Sequence, residues 1–351
     1  MIIGVDPHKS SHTASAMDPA TNTVVGSLRV DASLAGYREL LRWARRFGGR
    51  RWAIKNANGL GCHLAQWLVA RDETVVDVAT TATARVRELS RGGRRKNDVI
   101  DAAAAASVAA LYGDAAEVTP DDETTVFALL EERRANVAAQ RVRAVNQLHA
   151  LLRDLVPGGA RTNLTAAEAT RLLRSVRPAT TVERTRKELA RDMVRDIHSL
   201  DTALADIASR MVEALDQRDT RLLEVDGVGP VLGVRLIGRT GRASRFPTAD
   251  AYANYAGVAP VEIASGDHTR HRLSRSGDRQ LNSALHLVAV TQIRMTNSAG
   301  RRYIDKKIAE GKTHKEAKRC LKRRIAASVW RVMLADERRI HQTTHTRIQA
   351  A

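Results

Sequence analysis

Short apolar runs separated by turn residues begin the chain. The segments MIIGVD (1–6), HTASAMD (12–18) and TVVGSLRV (23–30) have the lengths and residue types of strands. Asp18-Pro19 and Thr21-Asn22 are turn-forming pairs. Strands that follow one another across such short turns usually pair in opposite directions. The pattern therefore predicts antiparallel hairpins at the start of the chain.

The apolar spacing then changes to that of a helix. Apolar residues recur at three- and four-residue steps in SLAGYRELLRWARRFG (33–48), with Ser33 as the expected N-cap and Gly48 as the expected stop. The next predicted elements are a strand RRWAIKNA (50–57), a helix GLGCHLAQWLVARD (59–72), a strand TVVDVA (74–79) and a helix NDVIDAAAAASVAALYG (97–113). The predicted order is that of the ribonuclease H-like fold: three strands, then a helix, a strand, a helix, a strand and a helix. The alternating half alone would suit many α/β folds.

Residues 120 to 217 have helical periodicity. One apolar stripe extends from Phe127 to Leu155 and ends before Pro157-Gly158-Gly159. A second stripe, from Leu189 to Leu215, has the three- and four-residue steps of a coiled coil. Two interpretations of the second stripe stay open: a helical hairpin that packs on its own domain, and a dimer interface.

Three parts are predicted along the chain. Residues 1–118 form a mixed α/β domain, residues 119–217 a region of long helices, and residues 218–351 a mainly helical domain that ends in basic helices. The predicted fold class is therefore α/β followed by all-α.

The charge of the chain points to a polyanionic partner. The net charge is +18, and Lys and Arg displace counterions from phosphates. Aromatic residues make up only 3% of the chain, which argues against a base-stacking platform as the main binding mode. Two distant cysteines without a CxxC pair argue against zinc sites and disulfide scaffolds. No signal peptide or membrane-spanning run is apparent, so we expect a cytoplasmic protein that associates with the nucleoid when bound to DNA.

Three aspartates are candidates for metal chemistry. Asp6 closes the first predicted strand, and Asp98 and Asp101 stand three residues apart at the start of a predicted helix, on one face. Carboxylates brought together repel one another unless a cation lies between them, and Mg²⁺ binds a few carboxylates together with water and phosphate oxygens. Taken singly, Asp98 is explained as a helix-start acid and Asp6 as a turn residue. Their joint position on a ribonuclease H-like strand order favours a Mg²⁺ site for phosphodiester chemistry.

Four separated segments resemble one known family. They are GVDPHKSSHTAS (4–15), WAIKNANGLG (52–61), RRKNDVIDAAAAA (94–106) and YAGVAPVEIASGDHTRHRLSRSGDRQLNSALH (255–286). In this order they resemble the DEDD transposases of bacterial insertion sequences, the family of bridge-RNA-guided recombinases. The resemblance spans nearly the whole chain. It implies a RuvC-like metal-binding domain, a helical middle and a C-terminal transposase domain with a nucleophilic serine.

The acidic quartet that the resemblance implies is incomplete. Asp6, Asp98 and Asp101 match the three aspartates, but the expected Glu falls on Lys55, and no other acid lies between residues 48 and 71. An ammonium at this position repels a divalent cation and can pair with one of the aspartates instead. We therefore expect weakened Mg²⁺ binding and strongly reduced DNA cleavage, with folding and RNA binding largely intact.

The resemblance also implies a nucleophile in the C-terminal domain. It falls on Ser265, which would attack a DNA phosphate and become covalently linked to it. Nearby arginines and histidines would neutralise the phosphate. On chemistry alone, Ser274 and Ser276 are equally suitable. A simpler interpretation is a basic loop that grips phosphate without covalent chemistry.

Several basic and glycine residues are candidates for phosphate contact. In VDGVGP (225–230), the glycines would let backbone amides meet a phosphate, as in a helix-hairpin-helix, although a tight turn between packed helices explains them equally well. The basic residues stand in three segments, for which a solvated face is the simpler interpretation. In the last of these segments, the spacing predicts an inner apolar stripe of Leu321, Ile325, Val329 and Val332. The full set is Arg94, Arg95, Lys96, Gly227, Gly229, Arg270, Arg272, Arg275, Arg279, Lys318, Lys322 and Arg323.

Three functions fit these features. The first is an RNA-guided DNA recombinase that binds donor and target duplexes and a structured guide RNA, uses Mg²⁺ and Ser265, and works as a homo-oligomer. The second is a non-enzymatic or impaired nucleic-acid-binding member of the family, which Lys55 favours. The third is a ribonuclease H-like nuclease or junction resolvase that uses metal-activated water, and the long C-terminal region argues against it.

Overall fold

The computed structural model describes residues 1–89, 97–111, 115–265, 268–273 and 277–349, with the backbone alone for residues 89, 261–265, 268–273 and 343–349. The chain divides into two compact units, Met1–Asp121 and Asp122–Ala351. The further boundary expected at residue 217 stays a prediction. Within the described residues, no helix is both long and apolar enough to cross a membrane.

The first unit is built on a five-stranded sheet. Its strands are β1 (Ile2–Pro7), β2 (Ser11–Asp18), β3 (Thr23–Asp31), β4 (Arg51–Lys55) and β5 (Val75–Val78), in the spatial order β3-β2-β1-β4-β5. The first three strands pair antiparallel, and β4 runs parallel to both β1 and β5. This is the strand order of the ribonuclease H-like fold, and it confirms the predicted fold class.

Four helices cover the two faces of this sheet. They are α1 (Leu34–Ala44), α2 (Cys62–Val69), α3 (Thr80–Leu89) and α4 (Asp98–Leu111). The first two pack on one face and the last two on the other. Ser33 caps α1 as predicted, but the helix ends at Ala44, before Gly48. Helix α3 was not predicted from the sequence, because its threonines have low helix propensity and its apolar period is weak.

Helix α4 lies directly on β1. A Cβ atom added to Gly4 would lie 1.9 Å from the carbonyl oxygen of Ala102 and 2.7 Å from the amide nitrogen of Ala106. Only a glycine permits this approach of two backbones, and the small alanine side chains of α4 allow it from the other side. The contact fixes the first turn of α4 beside the end of β1.

The second unit is mainly helical. Its helices are α5 (Glu123–Leu155), α6 (Ala166–Ser175), α7 (Thr181–Arg218), α8 (Pro230–Thr240), α9 (Ala249–Tyr255), α10 (Arg279–Arg294), α11 (Ala299–Ala309) and α12 (His314–Gln349). A two-stranded antiparallel hairpin, β6 (Pro260–Ser265) and β7 (His268–Leu273), stands between α9 and α10.

The long helices pack on one another within the chain. Leu148 and Leu152 of α5, Leu173 of α6 and Ile197 of α7 form one buried cluster. This packing agrees with the interpretation of the second apolar stripe as part of a helical hairpin. Leu189 of that stripe, however, is 47% exposed.

Helix α12 packs its apolar side into the larger core of the second unit. Leu321, Ile325 and Val329 are buried there as the sequence predicts. Val332 was expected to continue the stripe but is only half-buried, because Met333, a full turn after Val329, takes the inner position.

Candidate active site

Asp6 is the centre of a cluster of charged side chains at one end of the sheet. It lies at the end of β1 and is 2% exposed. Strands β1 and β4 run parallel with Val5 opposite Ile54, so Lys55 comes next to Asp6 at the carboxyl ends of both strands. The first turn of α4 adds Asp98 and Asp101. The structure therefore brings the three predicted acids and the unexpected lysine together.

One side of Asp6 is closed by cations. The Nζ atom of Lys55 lies 3.0 Å from Oδ1 of Asp6 and 3.3 Å from Oδ2 of Asp101. The other oxygen of Asp101 accepts a hydrogen bond of 2.7 Å from the Arg87 guanidinium on α3. The Asp101 side chain is only 3% exposed. On this closed side, two carboxylates and two cations balance each other in a largely buried network.

The network holds its members in their charged forms. Burial by itself would lower the pKa of Lys55, but the hydrogen bond to Asp6 and the charges of Asp6 and Asp101 outweigh burial and raise that pKa. Burial by itself would raise the pKa of Asp101, but the hydrogen bond from Arg87 and the charge of Lys55 outweigh burial and lower it. Lys55 therefore remains an ammonium at neutral pH.

The loop after β4 fixes the position of Lys55. Asn56 adopts a left-handed conformation with φ of 54°. The next two residues donate hydrogen bonds to the carboxylate of Asp77: the Ala57 amide at 2.7 Å and the Asn58 side chain at 2.8 Å. Both carboxylate oxygens of Asp77 are thus engaged in shaping the loop.

The opposite side of Asp6 is open. The Nε2 atom of His8 lies 3.2 Å from Oδ2 of Asp6 and 3.3 Å from Oδ1 of Asp98. Arg29 approaches the other oxygen of Asp98 at 3.8 Å. The side chains of His8 and Asp98 are 45% and 38% exposed. A ligand from solvent can therefore reach this side.

The two sides differ in how well they fit a divalent cation. On the open side, one oxygen each of Asp6 and Asp98 and one nitrogen of His8 all lie within 4.8 Å of one another. Neighbouring ligands in an octahedral shell of radius about 2.1 Å are about 3 Å apart, close to the spacing that His8 makes with both aspartates. On the closed side the ammonium of Lys55 already lies between Asp6 and Asp101. The residues therefore fit a cation on the open side and do not fit one on the closed side.

Three residues of this site were missed by sequence reasoning. His8 stands two residues after Asp6, and this short spacing was the available signal. Arg29 faces the site because β3 pairs with β2, and Arg87 does so because α3 packs beside α4. Neither relation has a local sequence signal.

The candidate nucleophile lies in the second unit, at the end of a strand. Ser265 is the last residue of β6 and is paired in register with His268, the first residue of β7. Arg270 and Arg272 are backbone positions of β7, opposite Ile263 and Val261. The other residues predicted near this hairpin or upstream of α4 lie outside the described residues: Arg94, Arg95, Lys96, Ser274, Arg275 and Ser276.

The VDGVGP segment forms a turn in front of α8. Gly227 has a φ of +81°, and an added Cβ would lie 3.1 Å from the Thr291 side chain on α10. Gly229 is the N-cap residue of α8, and an added Cβ there would meet no described atom within 4 Å. Gly227 is therefore required by packing and conformation, whereas Gly229 faces open space.

The basic residues predicted on α10 and α12 have different surroundings. Arg279 is the first residue of α10, next to the N-cap Asp278. Lys322 is partly buried and donates a 2.6 Å hydrogen bond to Asn282, and burial lowers its pKa. Arg323 pairs with Asp250 at 2.9 Å on an exposed surface. Lys318 lies one turn before Lys322 and is partly exposed.

Comparison with known proteins gives matches along most of the chain. A DEDD transposase model of the IS110 type matches residues 3–157, and a transposase model of the IS116/IS110/IS902 family matches residues 219–305. An uncharacterised 44.8 kDa protein of insertion element IS116 from Streptomyces clavuligerus is 29% identical over 383 aligned residues, covering 96% of this chain and 95% of the relative. An uncharacterised 42 kDa protein of insertion element IS900 from Mycobacterium paratuberculosis is 27% identical, covering 98% of both chains.

Among solved structures, RuvC of T. thermophilus in complex with a Holliday junction substrate is 14% identical, with a TM-score of 0.26. It covers 33% of this chain and 98% of its own. So low a score supports no inference, and the fold assignment rests on the strand order of the sheet. The transposase models, by contrast, match both the segment that carries Asp6, Asp98 and Asp101 and the segment that carries Ser265. The chain therefore belongs to the DNA transposases of IS110-type insertion sequences.

Proposed function

We propose that this transposase recombines DNA through a covalent link to Ser265, at sites selected by a guide RNA. The observation that supports nucleic acid as its partner most directly is the net charge of +18. The low aromatic content favours contact with phosphates over stacking on bases. A transposase must hold donor and target DNA together, so we propose that it works as a homo-oligomer in the cytoplasm.

The proposed chemistry exchanges phosphodiester bonds without an external energy source. The Oγ atom of Ser265 forms a bond to a DNA phosphorus, its proton passes to solvent, and one phosphorus–oxygen bond to deoxyribose breaks. The departing deoxyribose oxygen takes up a proton. A hydroxyl of another DNA strand then loses its proton and attacks the phosphorus of the serine–DNA phosphodiester, and the released serine oxygen takes up a proton. One ester bond forms for each that breaks.

The carboxylates of the first unit are proposed to bind a divalent cation, Mg²⁺ in the simplest case. The sequence indicates Asp6, Asp98 and Asp101 as ligands, whereas the geometry favours Asp6, Asp98 and His8, because Asp101 is paired with Lys55 and Arg87. A cation bound there would neutralise the charge that develops on a DNA phosphate. Asp6 holds the neighbouring side chains in position, because it is buried and contacts both Lys55 and His8. His8 and Asp98 present their polar atoms towards solvent, where a phosphate can arrive.

A second candidate function is an impaired family member that binds nucleic acid and cuts it slowly. The contacts of Lys55 with Asp6 and Asp101 favour this candidate, because they occupy the oxygens that a second cation would need. Two cations stabilise both the attacking and the leaving oxygen of a phosphodiester displacement. With Lys55 in place, the chain retains ligands for only one of these two cations.

Cleavage by the chain and by a Lys55→Glu variant separates these candidates. With Mg²⁺, we expect the variant to cut donor and target DNA at least about 100-fold faster, since a removed charge stabiliser typically costs that much. Lys55→Met is the control, because it removes the ammonium without adding a carboxylate. Equal rates for the chain and the Glu variant would show that Lys55 does not limit activity.

The nucleophile is tested in the Lys55→Glu background by trapping covalent adducts with labelled DNA. We expect Ser265→Ala to abolish the adducts, while Ser274→Ala and Ser276→Ala retain them. Adducts that persist in Ser265→Ala and disappear in one of the other two variants would reassign the nucleophile. Loss of adducts when the guide RNA is omitted is the expected sign of RNA guidance.

A further inference from the structure

A row of polar residues crosses the sheet from the candidate active site to its edge. Asp6 of β1 is directly opposite Thr13 of β2, and Thr13 is directly opposite Arg29 of β3. Directly opposed residues of antiparallel strands project from the same face of a sheet. Lys55 extends the row on the other side through its contact with Asp6. The row is therefore continuous over four strands. Its outer half, Thr13 and Arg29, lies beyond the proposed metal ligand Asp6.

A cavity of about 530 Å³ lies over the outer half of this row. Thr13, Ser27 and Arg29 line it from the sheet, and Asn97 and Asp98 line it from the start of α4. Asp98 belongs both to this cavity and to the open side of Asp6. A chain-like ligand that passes the open side would therefore continue into the cavity.

The hydroxyl of Thr13 is an unexplained polar group at this place. Thr13 is 2% exposed, and its Oγ1 atom has no hydrogen-bond partner among the residues that the structure describes. Buried hydroxyls are normally paired, because burial without a partner is unfavourable. Thr13 is among the residues that line the cavity, so a sugar or phosphate oxygen bound there would give this buried hydroxyl the partner it lacks.

Arg29 supplies positive charge at the rim of the same cavity. Its guanidinium is held at Ser11 Oγ by a 3.1 Å hydrogen bond and lies 3.8 Å from Asp98. The side chain remains 66% exposed. A guanidinium has five N–H donors, so these two contacts leave donors for the oxygens of a phosphate.

We propose that this cavity binds one nucleotide of a nucleic-acid strand next to the reacting phosphate, with a backbone phosphate at Arg29 and the sugar at Thr13. The inference rests on the proposed function for the identity of the ligand, a phosphodiester strand. DNA and RNA share this chemistry. The 2′-hydroxyl of RNA gives Thr13 an additional partner that DNA lacks.

The test measures binding in metal-free buffer, so that cleavage plays no part. The probes are a short fluorescently labelled single-stranded DNA and an RNA of the same sequence, each carrying a photo-crosslinkable base. We expect Thr13→Val to weaken binding of at least one probe roughly five-fold. Arg29→Gln should weaken binding roughly ten-fold and lower the slope of log affinity against log salt by about 0.7.

Matched variants control for general effects. Thr23→Val removes a hydroxyl from the far end of β3, and Arg38→Gln removes an exposed charge from α1 on the other face of the sheet. Neither should change affinity by more than the measurement error. Thr13→Ser keeps the hydroxyl and should bind like the unaltered chain. Crosslinks should map to the peptides that contain Thr13 or residues 27–29.

The binding and crosslinking results either identify the strand that occupies the cavity or contradict the proposal. Weaker binding of DNA alone, RNA alone or both supports the cavity and names the strand that it holds. Affinities equal to those of the control variants, with crosslinks only in other peptides, would overturn the proposal. Failure of the cleavage test with Lys55→Glu leaves this measurement unaffected, so the two ideas fail separately.

Discussion

The two sides of Asp6 have the same kind of residues but opposite physical character. On the closed side, Lys55 and Arg87 satisfy the carboxylates of Asp6 and Asp101 within a nearly buried network. On the open side, His8 bridges Asp6 and Asp98 where both of the outer side chains are more than a third exposed. Charges that are balanced in the interior stabilise the fold, whereas accessible ligands serve binding. At the position where the family resemblance implies a carboxylate, Lys55 therefore makes a structural contact with two aspartates.

The largest expected effect comes from breaking the closed side. In metal-free buffer, Lys55→Glu places three carboxylates together, and we expect the first unit to lose about 3 kcal/mol of unfolding free energy. Addition of Mg²⁺ should restore much of that stability, because the cation replaces the ammonium. Denaturant unfolding with and without MgCl₂ measures both effects. In Lys55→Met, Mg²⁺ should have a smaller effect, and an equal response in the two variants would contradict a regained metal site.

A smaller loss is expected when the second cation of the closed side is removed. Arg87→Gln deprives the buried Asp101 carboxylate of a charge-assisted hydrogen bond, which should cost about 2 kcal/mol of unfolding free energy. Arg85→Gln, at an exposed position of the same helix, is the matched control. Comparable stability of the two variants would mean that Lys55 alone satisfies Asp101.

The contacts of the closed side should also make the unfolding free energy depend on pH. The folded-state pKa of Asp101 is lowered from the usual 3.8 by Arg87 and Lys55, against the opposing effect of burial. The stability that this carboxylate contributes is present above its unfolded pKa and is lost as the pH falls through its folded pKa. In metal-free buffer, the difference in unfolding free energy between the chain and Asp101→Asn should therefore shrink below about pH 4. A constant difference across the acidic range would rule out this carboxylate as a source of acid sensitivity.

The smallest effect on stability is expected on the open side. Asp98→Asn should change the unfolding free energy by less than about 0.5 kcal/mol, because the side chain is exposed. The same variant should bind Mn²⁺ more weakly, as measured by electron paramagnetic resonance of the free ion. Unchanged Mn²⁺ affinity in this variant would show that the open side does not hold the cation.

The sequence was most informative where chemistry follows from strand order. The position of Lys55 beside Asp6 follows from two parallel strands, and the apolar runs of both strands are plain in the sequence. Arg87 escaped notice because α3 has little apolar periodicity and its contact with Asp101 depends on packing.

The two acids of α4 show the same limit of sequence reasoning. Their spacing placed them on one face of the helix, yet Asp101 turns to Lys55 and Asp98 to His8. Partners of that kind depend on the neighbouring strands, which no local pattern specifies. The role of each residue in metal binding and catalysis stays a prediction.

The pairing of Lys55 with two aspartates has a genetic consequence. Because its ammonium is satisfied by Asp6 and Asp101, the lysine is compatible with a folded protein, and selection for folding does not remove it. Lysine and glutamate codons differ by a single nucleotide. A gene that carries this lysine therefore still encodes a folded protein, and one point mutation would place a glutamate in the same scaffold.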